Sequence, residues 1–267
     1  IKAMFWNIGK DLNIGDDKTD KKLGLLSEAI TIINPDIFCI AEGTPSKEGC
    51  KKIVDVFSSN GYSCYYSPLF SDRVDLKPPT DYKYDRYGLK IFIKDTAIIK
   101  TPFAFTEVRE VGRIVSMKVF FNYQEITFIF LHNKSKEGET HETLDQTDNI
   151  KAIYEMISLG KPDEEKERII IMGDFNLNPW DRLLEHKTHL NTSYIHNRNS
   201  ILQRNADKCF YNPIVELLSK SVIANLGGTY YSNNSGWGLL DFVLYDTRDV
   251  QIQFDIITEF NGGSKLL

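Results

Sequence analysis

The apolar positions of this chain fall into short runs, and two periods alternate along them. Runs of β-branched and aromatic residues predict strands at Ile1–Trp6, Asp36–Ala41, Leu89–Ile93, Ala97–Ile99, Ile114–Phe121, Ile126–Leu131, Ile169–Met172, Phe242–Tyr245 and Val250–Ile257. Several are apolar throughout, as expected of strands covered on both faces. Between them the spacing becomes helical. Leu23, Leu26, Ile30 and Ile33 share one face, and Asn34-Pro35 predicts the stop. Ile53, Val54 and Phe57 mark a second helix with Gly61 as its C-terminal cap. Leu144, Ile150, Ile153 and Ile157 mark a third, ending near Gly160-Lys161-Pro162. Helices interleaved with apolar strands predict a layered α/β sandwich. The stretch from Pro68 to Tyr84 contains two adjacent prolines and predicts a long surface loop, a kind of segment that often carries function. No repeat or linker breaks the pattern, so a single domain is expected over 1–267.

Composition narrows the classes. Hydrophobic residues at 42% and charged residues at 26% describe an ordinary globular chain and exclude a disordered or fibrous one. Lys and Arg total 32 against 37 Asp and Glu, a net charge of −5, which argues against broad nucleic-acid binding through a positive field. It leaves room for an enzyme that reaches a phosphate through a bound cation. Cys39, Cys50, Cys64 and Cys209 form no C-x-x-C pair, so neither a disulfide framework nor a zinc site is expected; a reducing, cytoplasmic setting is. Cys39 sits inside an apolar run and is expected to be buried. No run approaches the ~20 apolar residues of a membrane span. The opening IKAMFWN lacks a basic leader, and no partner protein is evident.

Chemistry enters where the runs stop. IKAMFW ends at Asn7, IFCIA at Glu42, ITFIFL at His132, and IIIMG at Asp174, followed by Phe175 and Asn176; Asp241 precedes FVLY. Buried strands deliver their end residues with little positional slack. Were these ends gathered at one edge, the set would be oxygen-rich with one imidazole and no thiolate. Such a set suits Mg²⁺, with Mn²⁺ as its substitute, rather than structural zinc. Taken singly, each residue has a plainer reading: a solvated Glu, a hydrogen-bonded His, an Asn starting a turn. The pair His186 and His189 reads as exposed helix or loop, since it lacks the H-E-x-x-H pattern. Tyr211, Tyr230, Tyr231 and Trp237 read as packing residues in preference to an aromatic wall. Asn133-Lys134-Ser135 is a chance glycosylation sequon.

The segment IIIMGDFNLNP, residues 169–179, resembles the G-D-F-N-x-x-P signature of the endonuclease/exonuclease/phosphatase superfamily. The resemblance runs along nearly the whole chain: FWNIG is similar to its W-N motif, PDIFCIAEG to P-D-I-x-x-x-x-E, LHNKS to its strand-His motif, and GLLDFVLYD to its late Asp motif. It implies a four-layer α/β/β/α sandwich with two packed mixed sheets. It also implies metal-dependent attack of water on a phosphoester, most simply a phosphodiester in a nuclease-like way. By the same resemblance Glu42 is the principal metal ligand, with Asn7 and Asp174 at the metal site. Asp174 is also the base or the group orienting the water. Asn176 partners it on the phosphate or nucleophile, His132 hydrogen-bonds the scissile phosphate, and Asp241 orients a second histidine. Asn7 and Arg113 are further phosphate contacts, and Asp85 is a partner for His132. Two other readings stand beside this one: a nucleotide- or partner-binding module without turnover, and a phosphatase of lipid or inositol headgroups.

The chain departs from the family at its end. The superfamily closes with Ser-Asp-His-x-Pro, whereas this sequence ends NGGSKLL, with no histidine beyond His196. The chain also opens on Ile1 rather than Met. The expectation is a natural chain that continues past Leu267 into the missing Asp-His pair.

Overall fold

The computed structural model describes residues 1–9, 17–43, 47–66, 88–100, 104–111, 113–121, 124–135, 144–158, 168–186, 189–194, 209–214, 216, 230–232, 236–238, 240–246 and 253. The chain divides into two compact units, one formed by Ile1–Ala104 with Ile257–Leu267 and the other by Phe105–Ile256. The loop expected between Pro68 and Tyr84, Asp85, the strand expected at Val250–Ile257 except Gln253, and the NGGSKLL end fall outside the described residues.

The first unit holds strands β1 (Ala3–Asn7), β2 (Ile37–Ala41), β3 (Tyr62–Tyr66) and β4 (Leu89–Lys94), with helices α1 (Asp17–Ile33), α2 (Lys47–Ser59) and α3 (Asp95–Lys100). The sheet order is β1-β2-β4-β3. β1 and β2 run parallel, while β4 is antiparallel to both of its neighbours, so the sheet is mixed. A parallel pair needs a crossover, and α1 supplies it. α1 stops where the sequence says it should: Asn34 adopts φ 51° and its N–H returns to the Ile30 carbonyl at 3.0 Å. Asn tolerates this left-handed conformation and caps the helix before Pro35. Gly61, at φ 76°, ends the turn after α2.

All five residues of β2 are buried, as its unbroken apolar run predicts, and Cys39 is among them. Burial pushes the Cys39 thiol pKa up, so it packs as a small apolar side chain. Phe38 and Phe92 meet Leu26, Ala29 and Ile30 of α1 and Ile53 and Phe57 of α2 in one core. Phe57 is its keystone: it stacks on Phe92 with centroids 3.7 Å apart and meets Phe38 and Tyr62 edge-on at 5.2 and 5.7 Å. The strand expected at Ala97–Ile99 is instead part of α3. Three β-branched or small residues are too few to set a period. Asp95 brings an acid to the helix's first turn, which favours a helix start through the backbone dipole.

The second unit holds β5 (Ala104–Val111), β6 (Ile114–Phe121), β7 (Gln124–His132), β8 (Arg168–Asp174), β9 (Phe210–Tyr211) and β12 (Asp241–Asp246), in the order β5-β6-β7-β8-β12-β9. A separate hairpin joins β10 (Tyr230–Ser232) and β11 (Gly236–Gly238). β7 and β8 are parallel, with α4 (Leu144–Ser158) as their crossover; β6 and β12 pair antiparallel to them. Ile150, Ile153 and Ile157 of α4 are buried with Ile129 and Leu131 of β7 and Ile169 and Ile171 of β8. The short helix α5 (Arg182–Glu185) adds Leu184 to this core. The α/β class and the two mixed sheets agree with the sequence reading. Strands β3, β5, β10 and β11 carry too many polar or turn-like residues to stand out in the sequence, and β9, two aromatic residues long, is too short to set a pattern.

Truncating Phe57 to Ala removes the ring that three others contact. It is expected to lower unfolding stability by about 3–5 kcal/mol, read by denaturant titration.

Candidate functional site

The predicted site residues fall into two groups, one in each unit, and each group is held by its own short-range geometry.

In the first unit β1 and β2 run in register so that Asn7 lies beside Ala41, the residue before Glu42. The Asn7 side chain forms a turn, its Oδ1 accepting the Gly9 N–H at 3.0 Å. Its Nδ2 then points at Glu42 Oε1, 3.5 Å away. Asn7 thus presents its amide nitrogen to the carboxylate and orients it. Glu42 has φ 64°, a left-handed conformation that is costly for a residue with a full side chain. Lys90 Nζ donates to the Glu42 carbonyl at 2.9 Å. Nearby, the Ile8 N–H reaches the Ala41 carbonyl at 3.2 Å and the Gly43 N–H reaches the Gly9 carbonyl at 3.2 Å, so the strand ends stay paired beyond the ladder.

In the second unit three site residues form one row. His132 at the end of β7 is in register with Asp174 at the end of β8, and Asp174 is in register with Asp241 at the start of β12. Residues opposite one another on neighbouring strands project to the same face. Ile169 and Ile171 alternate with Asp174 and turn toward α4, so the row lies on the face away from that helix. His132 Nε2 stands 4.0 Å from Asp174 Oδ2, and both residues are buried. Two carboxylates directly across an antiparallel pair repel, an arrangement that costs stability unless a proton or a cation offsets it.

The loop after β8 brings Asn176 back to this row. Asn176 adopts φ 48°, its N–H donates to Asp174 Oδ1 at 2.9 Å, and its Nδ2 donates to the Asn133 carbonyl at 2.9 Å. An amide carries two N–H donors, so one remains for another acceptor. Arg113 joins from the turn before β6: its carbonyl accepts the His132 N–H at 3.1 Å and its guanidinium lies 3.4 Å from the Asn133 carbonyl. Phe175 and Phe242, each following a site aspartate, stack with centroids 3.9 Å apart and tie the two strand ends together.

Sequence reasoning missed the residues that brace this group. Asn133 is fully buried, its N–H donating to the Asp174 carbonyl at 2.8 Å and its Oδ1 accepting from Asn149 Nδ2 at 2.8 Å. Gln146, also buried, donates from Nε2 to the carbonyls of Lys134 and Asn176 at 2.7 and 3.1 Å. The available signal was polar residues at positions 146 and 149, close to the apolar stripe of α4.

Other candidates resolve into packing. Tyr211 is buried, donates to Glu216 Oε1 at 2.6 Å and meets Tyr245 edge-on at 5.4 Å. Burial and Glu216 raise its phenol pKa. His186 and His189 meet edge-on at 5.3 Å, and burial with the nearby His186 and Lys151 lowers the pKa of His189. Among the described residues no three His, Cys, Asp or Glu side chains gather into a metal cluster, and the cysteines are free thiols. No helix among them is long and apolar enough to cross a membrane.

Residues 4–255 match the sequence profile of the Endonuclease/Exonuclease/phosphatase family, and the chain belongs to that family. No curated protein matches it in sequence. Among solved structures it is similar to a humanized D. rerio TDP2, at 13% identity and TM-score 0.58 over 94% of this chain and 85% of that one. It is similar to the human Nocturnin catalytic domain, at 17% identity and TM-score 0.54 over 92% of this chain and 81% of that one. It is also similar to a β-hairpin deletion mutant of Staphylococcus aureus beta toxin, at 14% identity and TM-score 0.56 over 98% and 95%. At these identities the likeness establishes the shared α/β sandwich fold. Members of this family are hydrolases of phosphate esters.

The register of the row depends on Gly173. A Cβ there would lie 1.9 Å from the Leu131 carbonyl oxygen, a backbone atom that cannot move without breaking the ladder. Gly173→Ala is expected to lower stability by at least about 2 kcal/mol in denaturant unfolding. The control is Gly24→Ala in α1: a Cβ there meets nothing within 4 Å, so stability should rise by about 0.5–1 kcal/mol.

Proposed function

We propose that this protein is a divalent-metal-dependent phosphoester hydrolase that cleaves phosphodiesters, with Mg²⁺ as the working ion. The observation that carries the reading is the row His132–Asp174–Asp241, its first two residues buried, with Asn176 turned back onto Asp174, in a chain of the Endonuclease/Exonuclease/phosphatase family. The family match runs through both compact units, which supports reading 1–267 as one family domain. A solved structure of D. rerio TDP2 is described as complexed with a single-strand DNA product, which supports nucleic acid as the first substrate to try.

The donors present fit a hard cation. Glu42 offers carboxylate oxygens and is oriented by an amide, with no thiolate in the set. Glu42 is the residue that would hold the ion, with Asn7 orienting it and Asp174 as the acid of the second group. When bound, such an ion supplies Lewis acidity and neutralises phosphate charge. Asp174 accepts the proton of the attacking water or holds that water in line. His132 and the free N–H of Asn176 donate hydrogen bonds to phosphate oxygens as charge develops on them. Arg113 adds a fixed positive charge at the β6 side of the row. Asp241 closes the far side of the row, in register with Asp174.

The test is turnover of a panel of single-strand DNA, RNA, nucleotide and lipid-headgroup phosphodiesters with and without Mg²⁺. Hydrolysis is expected to stop with a chelator and return with Mg²⁺ or Mn²⁺. Asp174→Ala and Glu42→Ala should each lower kcat by about 10²–10⁴-fold. Undiminished turnover in either variant overturns its role. Ligand binding without product from a chain carrying the complete family motif favours a binding module instead.

A further inference from the structure

We propose that Lys90 is a positioning residue for Glu42, holding the acid in its left-handed conformation so that its carboxylate is set for a divalent cation. The inference rests on the functional reading above and goes beyond it, because Lys90 lies outside every motif that carries the family resemblance.

Lys90 is out of place by pattern. It lies on β4 opposite Ile40, two residues from Phe92, which faces Phe38. That alternation puts its side chain on the sheet face covered by α1 and α2, where Phe38, Ile40, Ile53, Phe57 and Phe92 form the core. It is 1% exposed, and among the described residues no other Lys or Arg is buried. A buried lysine is costly unless its head group is bonded, so a position that otherwise calls for a hydrophobe needs a reason to carry one.

The reason lies at the end of the side chain. Lys90 Nζ donates to the Glu42 carbonyl at 2.9 Å. Glu42 follows the last residue of β2 at φ 64°, so its partly buried carbonyl lies beyond the strand ladder and takes the lysine as donor. A carbonyl there needs a donor, and an apolar residue at position 90 supplies none. Gly43 follows at φ 115°, a conformation that favours glycine, and a Cβ there would press on Ile53 Cδ1 at 3.2 Å while meeting Lys90 Nζ at an ordinary 3.8 Å. The head group thus lies beside a turn that leaves the strand immediately after the acid. Glu42 is held at both ends, its carbonyl by Lys90 and its carboxylate by Asn7. Without the first hold the backbone can relax to an ordinary φ, and the carboxylate moves with it.

A lysine present only to fill space would affect folding and leave metal binding alone. A lysine acting mainly as a charge would repel the cation, and its removal would tighten binding. Positioning predicts the opposite sign. The experiment measures Mn²⁺ binding to the full chain by the electron paramagnetic resonance signal of free Mn²⁺, alongside thermal melting without metal. Lys90→Met is expected to weaken Mn²⁺ binding about tenfold, as loss of a residue supporting a metal ligand does. Its metal-free melting temperature should change little, since removal of a buried charge offsets loss of the hydrogen bond to the Glu42 carbonyl. Lys90→Gln, which keeps a polar head, should lose less affinity, and it carries the test if the Met variant does not fold. Wild-type affinity or tighter binding in the variants overturns the proposal. Failure of the wild-type chain to bind Mn²⁺ overturns the functional reading itself, so the two failures are told apart.

Discussion

The parallel pairing of β7 with β8 is the constraint on which the second unit depends, and it closes at one point. Leu131 and Gly173 lie in register, with the Leu131 backbone so close that no Cβ fits at 173. The next pair along the same ladder is His132 and Asp174. Strand side chains alternate with a period of two, so a slip of one residue would send His132 or Asp174 to the α4 face. It would also turn Ile169 and Ile171 out of the core they share with Ile150 and Ile153. Core packing and site geometry are therefore set by the same register. The hydrophobic energy that fixes the isoleucines also fixes the acid and the histidine.

Strain gathers where the strands end. Four non-glycine residues have positive φ among those described: Asn34, Glu42, Asn176 and Asn191. Three are asparagines, whose short amide side chains tolerate the left-handed region. Asn34 uses it to cap α1, and Asn176 uses it to return its N–H to Asp174. Glu42 has no such excuse and needs support from outside its own turn. Backbone strain at a functional position persists only when the surroundings over-determine it. At Asn176 the surroundings are the Gln146 side chain of α4 and the Asn133 carbonyl. At Glu42 they are a strand neighbour and an amide.

The sequence was legible where one signal dominated. The ends of α1 and α2 were readable because an Asn-Pro pair and a glycine cap are local signals. Strands β2, β6 and β7 stood out because their apolar runs are long enough to set a pattern. Ala97–Ile99 misled because three residues carry no period, and the acid at Asp95 decided for a helix. The candidate residues were visible as polar groups ending apolar runs; their grouping was not, since register is a tertiary property. The braces were least visible of all. Asn133, Gln146 and Asn149 are ordinary polar residues in a sequence, and only their burial against the strand ends gives them a task.

Net charge is a weak guide to the chemistry of a site for a reason that electrostatics supplies. At physiological salt, exposed charges are screened within about 8 Å, so a total of −5 says little about a row of side chains at strand ends. On the proposed reading, what an approaching phosphate meets is local: two carboxylates in register, an imidazole 4.0 Å from one of them, and a guanidinium at the Asn133 carbonyl. The carboxylates alone would repel it. Their pairing makes physical sense when positive charge enters with the substrate or ahead of it, which is the condition a divalent ion meets. A chain can thus be acidic overall and still act on an anion, provided the few charges at its strand ends are placed by the core rather than by the surface.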